Sequence, residues 1–397
     1  MSTAVLTNRL ELDSFADKSL RAAVGFWFVV TVISQLAFGV AVASFYGLTA
    51  LRGEYMGWQF THGFIPGVTK GNFAVVMHLV SAPIIMLSGA VQLVPRVRSR
   101  FPAFHRWNGR IYMLAAGTLS FGGVYMHLIR GSVGDRSQHI GSILNAVLIW
   151  LFAVLALRYA MALDFKTHRR WALRLFMVVS ASWFQRLMFL LLLAIYRRPV
   201  GFDPSTFTGP LPTVMSFAQY LVPLAVLEIY LRAKDSKGAL RRMATAGLLF
   251  VCTLGMAAGT FIVGAAAWVP QVKAGFDSRK SFAGTLETTI KARGIDAAVQ
   301  QYRDLKATQP GVYKFDEDEL NNLGYDLLRR HDFRDAIRIF QLNLEAYPQS
   351  SNAYDSLAEG YMDDGDNLLA VANYRKSLQL NPKNWNAALR LKKLGAQ

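Results

Sequence analysis

The sequence is poor in cysteine, in acid and in charge. One cysteine in 397 residues, Cys252, excludes an internal disulfide framework and any four-cysteine zinc site. Only 17% of residues are charged, where a soluble domain carries about 25%. Acids number 26 against 43 Lys and Arg, a net charge of +17. Yet 53% of the chain is hydrophobic, which leaves no room for the dense basic surface of a nucleic-acid binder. Aromatics make up 12%, which excludes disorder. No catalytic or nucleotide-binding motif stands out, so enzyme activity is left open.

The scarce acids are unevenly placed. Residues 1–269 hold 25 Lys/Arg and 9 Asp/Glu, and residues 270–397 hold 18 and 17. The basic part is also the apolar part. Long apolar runs occupy about 22–49, 72–94, 110–129, 140–163, 171–196, 212–231 and 244–269. Each has about 20 residues or more, enough to cross a hydrocarbon core. The reading is an all-α polytopic membrane protein: a tail over 1–21, seven spans within 22–269, and a soluble domain over 270–397. The first apolar run is too long for a cleaved signal and reads as an anchor.

The arginines set an orientation. Eighteen basic residues fall at the N-terminus and the two–three, four–five and six–seven turns, against six on the other side. The positive-inside rule puts the N-terminus in the cytoplasm of a plasma (inner) membrane and residues 270–397 outside. Trp107 and Trp171, and at the other face Trp58 and Trp268, stand where interfacial anchors belong.

Pro348 and Pro382 lie 34 residues apart. Aligned on them, Gly324, Ala336 and Phe340 correspond to Ala358, Ala370 and Tyr374, and a weaker unit offers Ala298, Tyr302 and Pro310. This is the period of tetratricopeptide repeats, helix pairs in which small residues allow close packing and a Pro ends the second helix. Residues 279–397 resemble a short array of that kind, closed by a helix over 385–394. Such arrays bind a protein or peptide partner in a concave groove; a packing or oligomerisation role is equally compatible. The acids 316–319 read as a helix N-terminus rather than a metal site.

Six of seven histidines lie in the membrane part. His78 and His139 fall at one face, on spans two and four. His105 and His168 fall at the other, on spans three and five. Two histidines facing each other across a helix bundle can supply both axial ligands of a haem iron. His78 with His139, and His105 with His168, are therefore candidate ligand pairs for one or two haem b groups. His127 is an alternative ligand near the first pair. The arrangement resembles, in spacing and topology, the di-haem b561-class cytochromes. The competing reading is that these interfacial histidines only meet lipid headgroups. Arg186 lies near the middle of span five with no acid inside spans two to five. Such a charge is expensive unless matched, so it points to an anionic ligand or to bonding with helix carbonyls and a neighbouring polar side chain.

The stretch His78 to Pro95, then Pro102-Ala103-Phe104-His105-Arg106-Trp107-Asn108-Gly109-Arg110-Ile111-Tyr112, and later His168-Arg169-Arg170-Trp171-Ala172-Leu173-Arg174 followed by Arg186, resembles the bacterial membrane family called domain of unknown function 2306. The resemblance covers about residues 72–195. It implies a membrane fold and marks these residues without naming a reaction. Three functions follow as expectations: a haem-binding electron carrier or ligand-binding membrane protein, a membrane-anchored scaffold, and a transporter of an anionic solute. The transporter is set third because no broken helix is evident in the sequence.

Overall fold

The protein is seen in a computed structural model that describes residues 3–53, 69–130, 134–197, 200–203 and 206–396. Two compact units emerge, one of Met1–Thr49 with Phe60–Phe276, the other of Asp277–Gln397 with Ala50–Gln59. Among the described residues both are helical, with isolated bridges but no strand.

The first unit begins with α1 (Thr3–Val42), which runs on through a π-helical turn to Leu51. α2 (Thr69–Gln92), α3 (Pro102–Tyr125), α4 (Arg136–Met161), α5 (Phe165–Val179), α6 (Ala181–Tyr196), α7 (Pro210–Lys234) and α8 (Ala239–Val263) follow, and π-helical turns extend α3 and α8. The starts of these helices have local causes. Pro102 and Pro210 stand at first-turn positions, where a missing N–H is harmless. Asp135 and Asp164 cap α4 and α5 by accepting from Gln138 N at 2.9 Å and Thr167 N at 3.0 Å.

Six helices are long and apolar enough to cross a membrane, and a seventh crossing exists if α5 and α6 count as one span. Those two helices correct the sequence reading, which had span five unbroken: they meet at 51° across Ser180. α1 packs on α8 and α2, so the first and last spans close the bundle. α2 lies against α3, α4 against α5 and α7, and α6 against α8 and α7. The α2–α3 contact depends on glycine. A Cβ at Gly89 would stand 3.0 Å from the Tyr112 ring, and one at Gly122 would stand 3.2 Å from His78 Cβ.

Two expectations at the boundaries change. The last helix of this unit continues to Phe276, past the composition break at 269. Trp268 is buried and stacks 5.6 Å from Phe38, so it belongs to the core rather than to an interface. Trp107 is exposed as an anchor should be, and Trp58 lies outside the described residues.

The second unit is a succession of helix pairs: α9 (Ala283–Arg293) with α10 (Ile295–Thr308), α11 (Glu317–Arg329) with α12 (Phe333–Ala346), α13 (Ser351–Asp364) with α14 (Asn367–Leu380), then α15 (Trp385–Lys393). The positions spaced by 34 are its core. Ala298, Ala336, Phe340, Ala358, Ala370 and Tyr374 are all completely buried. A Cβ built on Gly324 would overlap the Phe340 ring, so only glycine lets α11 and α12 approach. Asp316–Glu319 form the start of α11, the end where acids are favoured. His331 sits in the turn after α11 with φ +64°.

Between α13 and α15 lies a buried polar network. Asp355 accepts from Asn386 Nδ2 at 2.7 Å and Asn384 Nδ2 at 3.1 Å. Glu359 accepts from Tyr325 OH at 2.5 Å and Arg390 Nη2 at 3.1 Å. Burial, aided by the nearby Glu359 charge, pushes the Asp355 carboxyl up to about 6 against the pull of its two amide donors.

Two outcomes are expected. Gly324→Val destabilises the second unit by about 1–3 kcal/mol through overpacking against Phe340, read as a lower unfolding midpoint of the full chain. An acid that holds its proton more tightly when folded contributes stability below its unfolded pKa, near ~4. That contribution is lost as pH rises through the folded value. The α13–α15 region is therefore most protected at about pH 4 and loses up to ~3 kcal/mol by pH 7 through Asp355. Amide exchange over residues 351–393 in the full chain shows this trend, and Asp355→Asn flattens it.

Candidate functional site

The first unit contains a cavity of 630 Å³, mostly apolar in lining, within the size range of cofactor and ligand sites, about 300–1,000 Å³. His105 from α3 and His168 from α5 both line it, with Tyr112, Gln92 and Tyr230. Three cations complete the lining: Arg21 on α1, Arg98 in the α2–α3 turn and Arg169 on α5, all exposed. None of the three forms an ion pair with a described residue. Local structure brings the two imidazoles together. The α2–α3 turn is pinned by Gln92 Nε2 donating to His105 O at 2.8 Å and Asn108 Nδ2 donating to Ser88 O at 2.9 Å. The Asp164 cap starts α5 four residues before His168.

The histidine nitrogens are not equivalent. His168 Nδ1 lies 2.8 Å from Ala156 O, a contact it can make only as donor, so Nε2 carries the free lone pair. A metal-bound imidazole is commonly held by a second-sphere bond of this type. His105 Nδ1 and Tyr112 OH are buried without a hydrogen-bond partner, which in a folded interior calls for explanation. Two glycines hold the cavity open. Ideal Cβ atoms on Gly25 and Gly255, both in its lining, would meet nothing within 4 Å. Gly259, four residues after Gly255 on α8, is instead a close contact: a Cβ there would stand 3.0 Å from Leu187 O.

Three other histidines, His78 on α2, His127 in the turn extending α3 and His139 on α4, lie apart from this cavity, and His62 falls outside the described residues. His78 Nδ1 donates to Leu119 O at 3.0 Å, again leaving Nε2 free. The His127 and His139 rings lie 4.9 Å apart. Imidazole–metal bonds are about 2 Å each, so no porphyrin plane fits between those two rings as they stand. Among the described residues no group of three or more His, Cys, Asp or Glu is arranged to hold a metal ion directly.

The break in span five is secured by side chains that the sequence reading passed over. Gln35 Nε2 donates to Ser180 Oγ at 2.9 Å, Trp183 Nε1 to Ser34 Oγ at 2.9 Å, and Thr260 Oγ1 to Ser34 Oγ at 2.8 Å. Asn145 Nδ2 on α4 donates to Val178 O at 3.2 Å, a carbonyl beside the break. Thr31, Ser34, Gln35 and Ser180 are at most 1% exposed. The signal for this clasp was three polar residues within one turn and a half of an otherwise apolar run.

Three arginines of this unit pair with acids near the helix ends. Arg174 pairs with Glu228 at 2.6 Å and stacks over Trp171, Arg170 pairs with Asp235, and Arg242 pairs with Asp13 at 2.6 Å. Arg186 differs. It donates to Ser182 O at 2.8 Å, its own helix's carbonyl, and lies 5.0 Å over the Phe38 ring. It does not line the His105/His168 cavity.

One family of known proteins matches part of the chain. The family described as "Predicted membrane protein (DUF2306)" matches residues 75–231. The match contains α3 to α6 whole, most of α2 and nearly all of α7, so it includes His78, His105, His127, His139, His168, Arg98, Arg169 and Arg186 but not Arg21. Its description assigns no activity. A search of curated proteins finds no match.

Asn145→Leu leaves Val178 O without its side-chain donor. The expected loss is about 1–3 kcal/mol, seen as earlier thermal unfolding of the detergent-solubilised protein. Gly255→Leu is expected to unfold at or near the wild-type temperature, because its side chain enters open space.

Proposed function

We propose that the first unit binds haem b in the His105/His168 cavity and works as a membrane electron carrier. The observation that carries this is one cavity lined both by two imidazoles from different helices and by three arginines that have no acid partner among the described residues. The residues fit the group. His168 is held in the tautomer that leaves Nε2 for iron, and His105 has an unsatisfied buried nitrogen. Arg21, Arg98 and Arg169 supply positive charge for the two carboxylates of the porphyrin, and the apolar lining excludes water from its faces. Iron held by two histidines is low-spin and suited to one-electron transfer rather than to oxygen binding. The His78, His127 and His139 cluster is the candidate second site, with His78 as one ligand. His139 or His127 becomes the other only if their mutual ring contact opens.

We further infer that the N-terminus is cytoplasmic and that residues after Phe276 lie across the membrane from it. The distribution of Lys and Arg supports this, provided α5 and α6 together make one full crossing. The second unit then acts outside as a tetratricopeptide-type partner-binding array. The complete burial of its 34-spaced alanines and aromatics favours that reading. A scaffold without a cofactor is the alternative. The transporter reading loses the objection that no helix is broken, since span five bends by 51°.

Purified full-length protein from haem-supplemented cells is expected to show the reduced-minus-oxidised bands of a b-type haem. His105→Ala and His168→Ala remove those bands, and Gly255→Leu weakens them by filling the cavity. A colourless preparation sinks the haem reading and leaves the scaffold. With Cys252→Ser as background, Lys383→Cys is expected to react with an impermeant maleimide on intact cells and Ser99→Cys only after lysis. If neither reacts on intact cells, α5–α6 is a re-entrant pair; the reverse result inverts the orientation.

A further inference from the structure

The charges of the second unit are segregated along its last three helices. Residues 345–366 hold six acids and no Lys or Arg, and residues 367–397 hold six Lys or Arg and no acid. Of those six cations, Arg390 is turned inward to Glu359 at 3.1 Å. Arg375, Lys376, Lys383, Lys392 and Lys393 are all exposed. α14 sorts part of this charge onto one face. Its buried side holds Ala370, Tyr374 and Ser377. Leu368, Leu369, Ala372, Arg375, Lys376 and Gln379 follow the helical spacing of a single stripe, and all six are exposed. The stripe is apolar in its first half and cationic in its second. Leu368, at 86%, is the most exposed large hydrophobic among the described residues of this unit. Arg375 Nη2 donates to Ala396 O at 3.1 Å, and Gly395 N turns back to Lys392 O at 3.2 Å. The end of α15, with Lys392 and Lys393, is thereby held beside the cationic half of the stripe.

Leucines left in water and cations with no acid interleaved are both unfavourable for an isolated domain. An anionic lipid surface relieves both, because leucine side chains enter the acyl boundary while Lys and Arg meet the headgroups. Such a surface demands no shaped pocket, only an exposed face of mixed apolar and basic character. The chain also supplies it nearby. Only residues 277–282 separate the last apolar helix, ending at Phe276, from α9 at Ala283, and six residues span at most about 20 Å. The bilayer is therefore present at high effective concentration.

We propose that the exposed stripe of α14, with Lys392 and Lys393 of α15, docks on the anionic headgroups of the bilayer in which the first unit sits. This docking depends neither on the haem reading nor on which leaflet the second unit meets.

The test uses the full chain with Cys252→Ser, one copy per nanodisc, carrying an environment-sensitive fluorophore at Ala372→Cys. In discs of mixed phosphatidylcholine and phosphatidylglycerol, the label is expected to shift its emission to the blue and to be quenched by nitroxide-bearing lipid. Pure phosphatidylcholine, or high salt, is expected to undo both changes. Arg375→Gln together with Lys376→Gln is expected to lower the ratio of docked to free unit at least tenfold, and Leu368→Asn several-fold. All three positions are exposed, so these variants are expected to unfold at the wild-type temperature. The proposal is overturned if the label is not quenched in the anionic discs, or if the double glutamine variant is quenched as strongly as wild type. It is overturned if a label at Ala307→Cys, exposed on α10, is quenched equally, since the whole unit then merely lies near lipid. It is also overturned if quenching appears only with two copies per disc, because the acid-rich α13 of a second chain is then what the basic face recognises.

Discussion

In hydrocarbon, every polar backbone group freed from its helix must find a partner within the protein. Where α5 bends into α6, one side chain from another helix meets that demand at the backbone, and others tie the bend to its neighbours. Ser180 ends α5 without proline or glycine at the break. Asn145 from α4 donates to the carbonyl of Val178, while Gln35 from α1 bonds the Ser180 hydroxyl and the Ser34–Trp183–Thr260 chain reaches α8. These bonds tie the first span, the last span and the broken one together at mid-bundle, where apolar packing alone sets no register. Because the bend is fixed there, α5 and α6 take different directions. α5 carries His168 to the cavity, and α6 carries Arg186 away from it.

Charge is arranged by the same rule at the helix ends. Arg170, Arg174 and Arg242 are matched by Asp235, Glu228 and Asp13, each on another helix. A surface ion pair contributes little, but Arg174 is also stacked on Trp171 and mostly covered. What matters functionally is which cations these acids leave unmatched. Nine acids cannot serve 25 bases in residues 1–269, and those with no acid partner among the described residues include Arg21, Arg98 and Arg169 around the cavity and Arg186 on α6. In the sequence the first three looked like orientation signals only. Folding places them around one space, so a residue can satisfy the membrane's sidedness rule and line a site together.

The histidines show where spacing stops being informative. The placement of His78 and His139 at one face and of His105 and His168 at the other pointed to two pairs. His105 and His168 do line a common cavity. Spacing could not say that His139 turns toward His127, because that depends on the π-helical turn that extends α3 and shifts the phase of His127. Nor could it say that His78 and His168 each give Nδ1 to a neighbouring helix's carbonyl, a contact between residues 41 and 12 positions apart. The second unit was easier to read. Its close contacts recur every 34 residues, so Gly324 and Phe340 announce the packing that Ala358 and Tyr374 repeat.

The sequence alone determined the helical class, the apolar lengths that can cross a bilayer, the composition change near residue 270 and the periodic core of the second unit. Each of these depends on local pattern: length, period, or the sign of charge near a helix end. Tertiary structure alone decided the bend at Ser180, the burial of Trp268, the cavity and its three unpaired arginines, and the isolation of Arg186 over Phe38. Each of those depends on which distant helix supplies a partner, and an apolar span gives almost no local sign of its neighbours, because most of its residues pack equally well against lipid or protein.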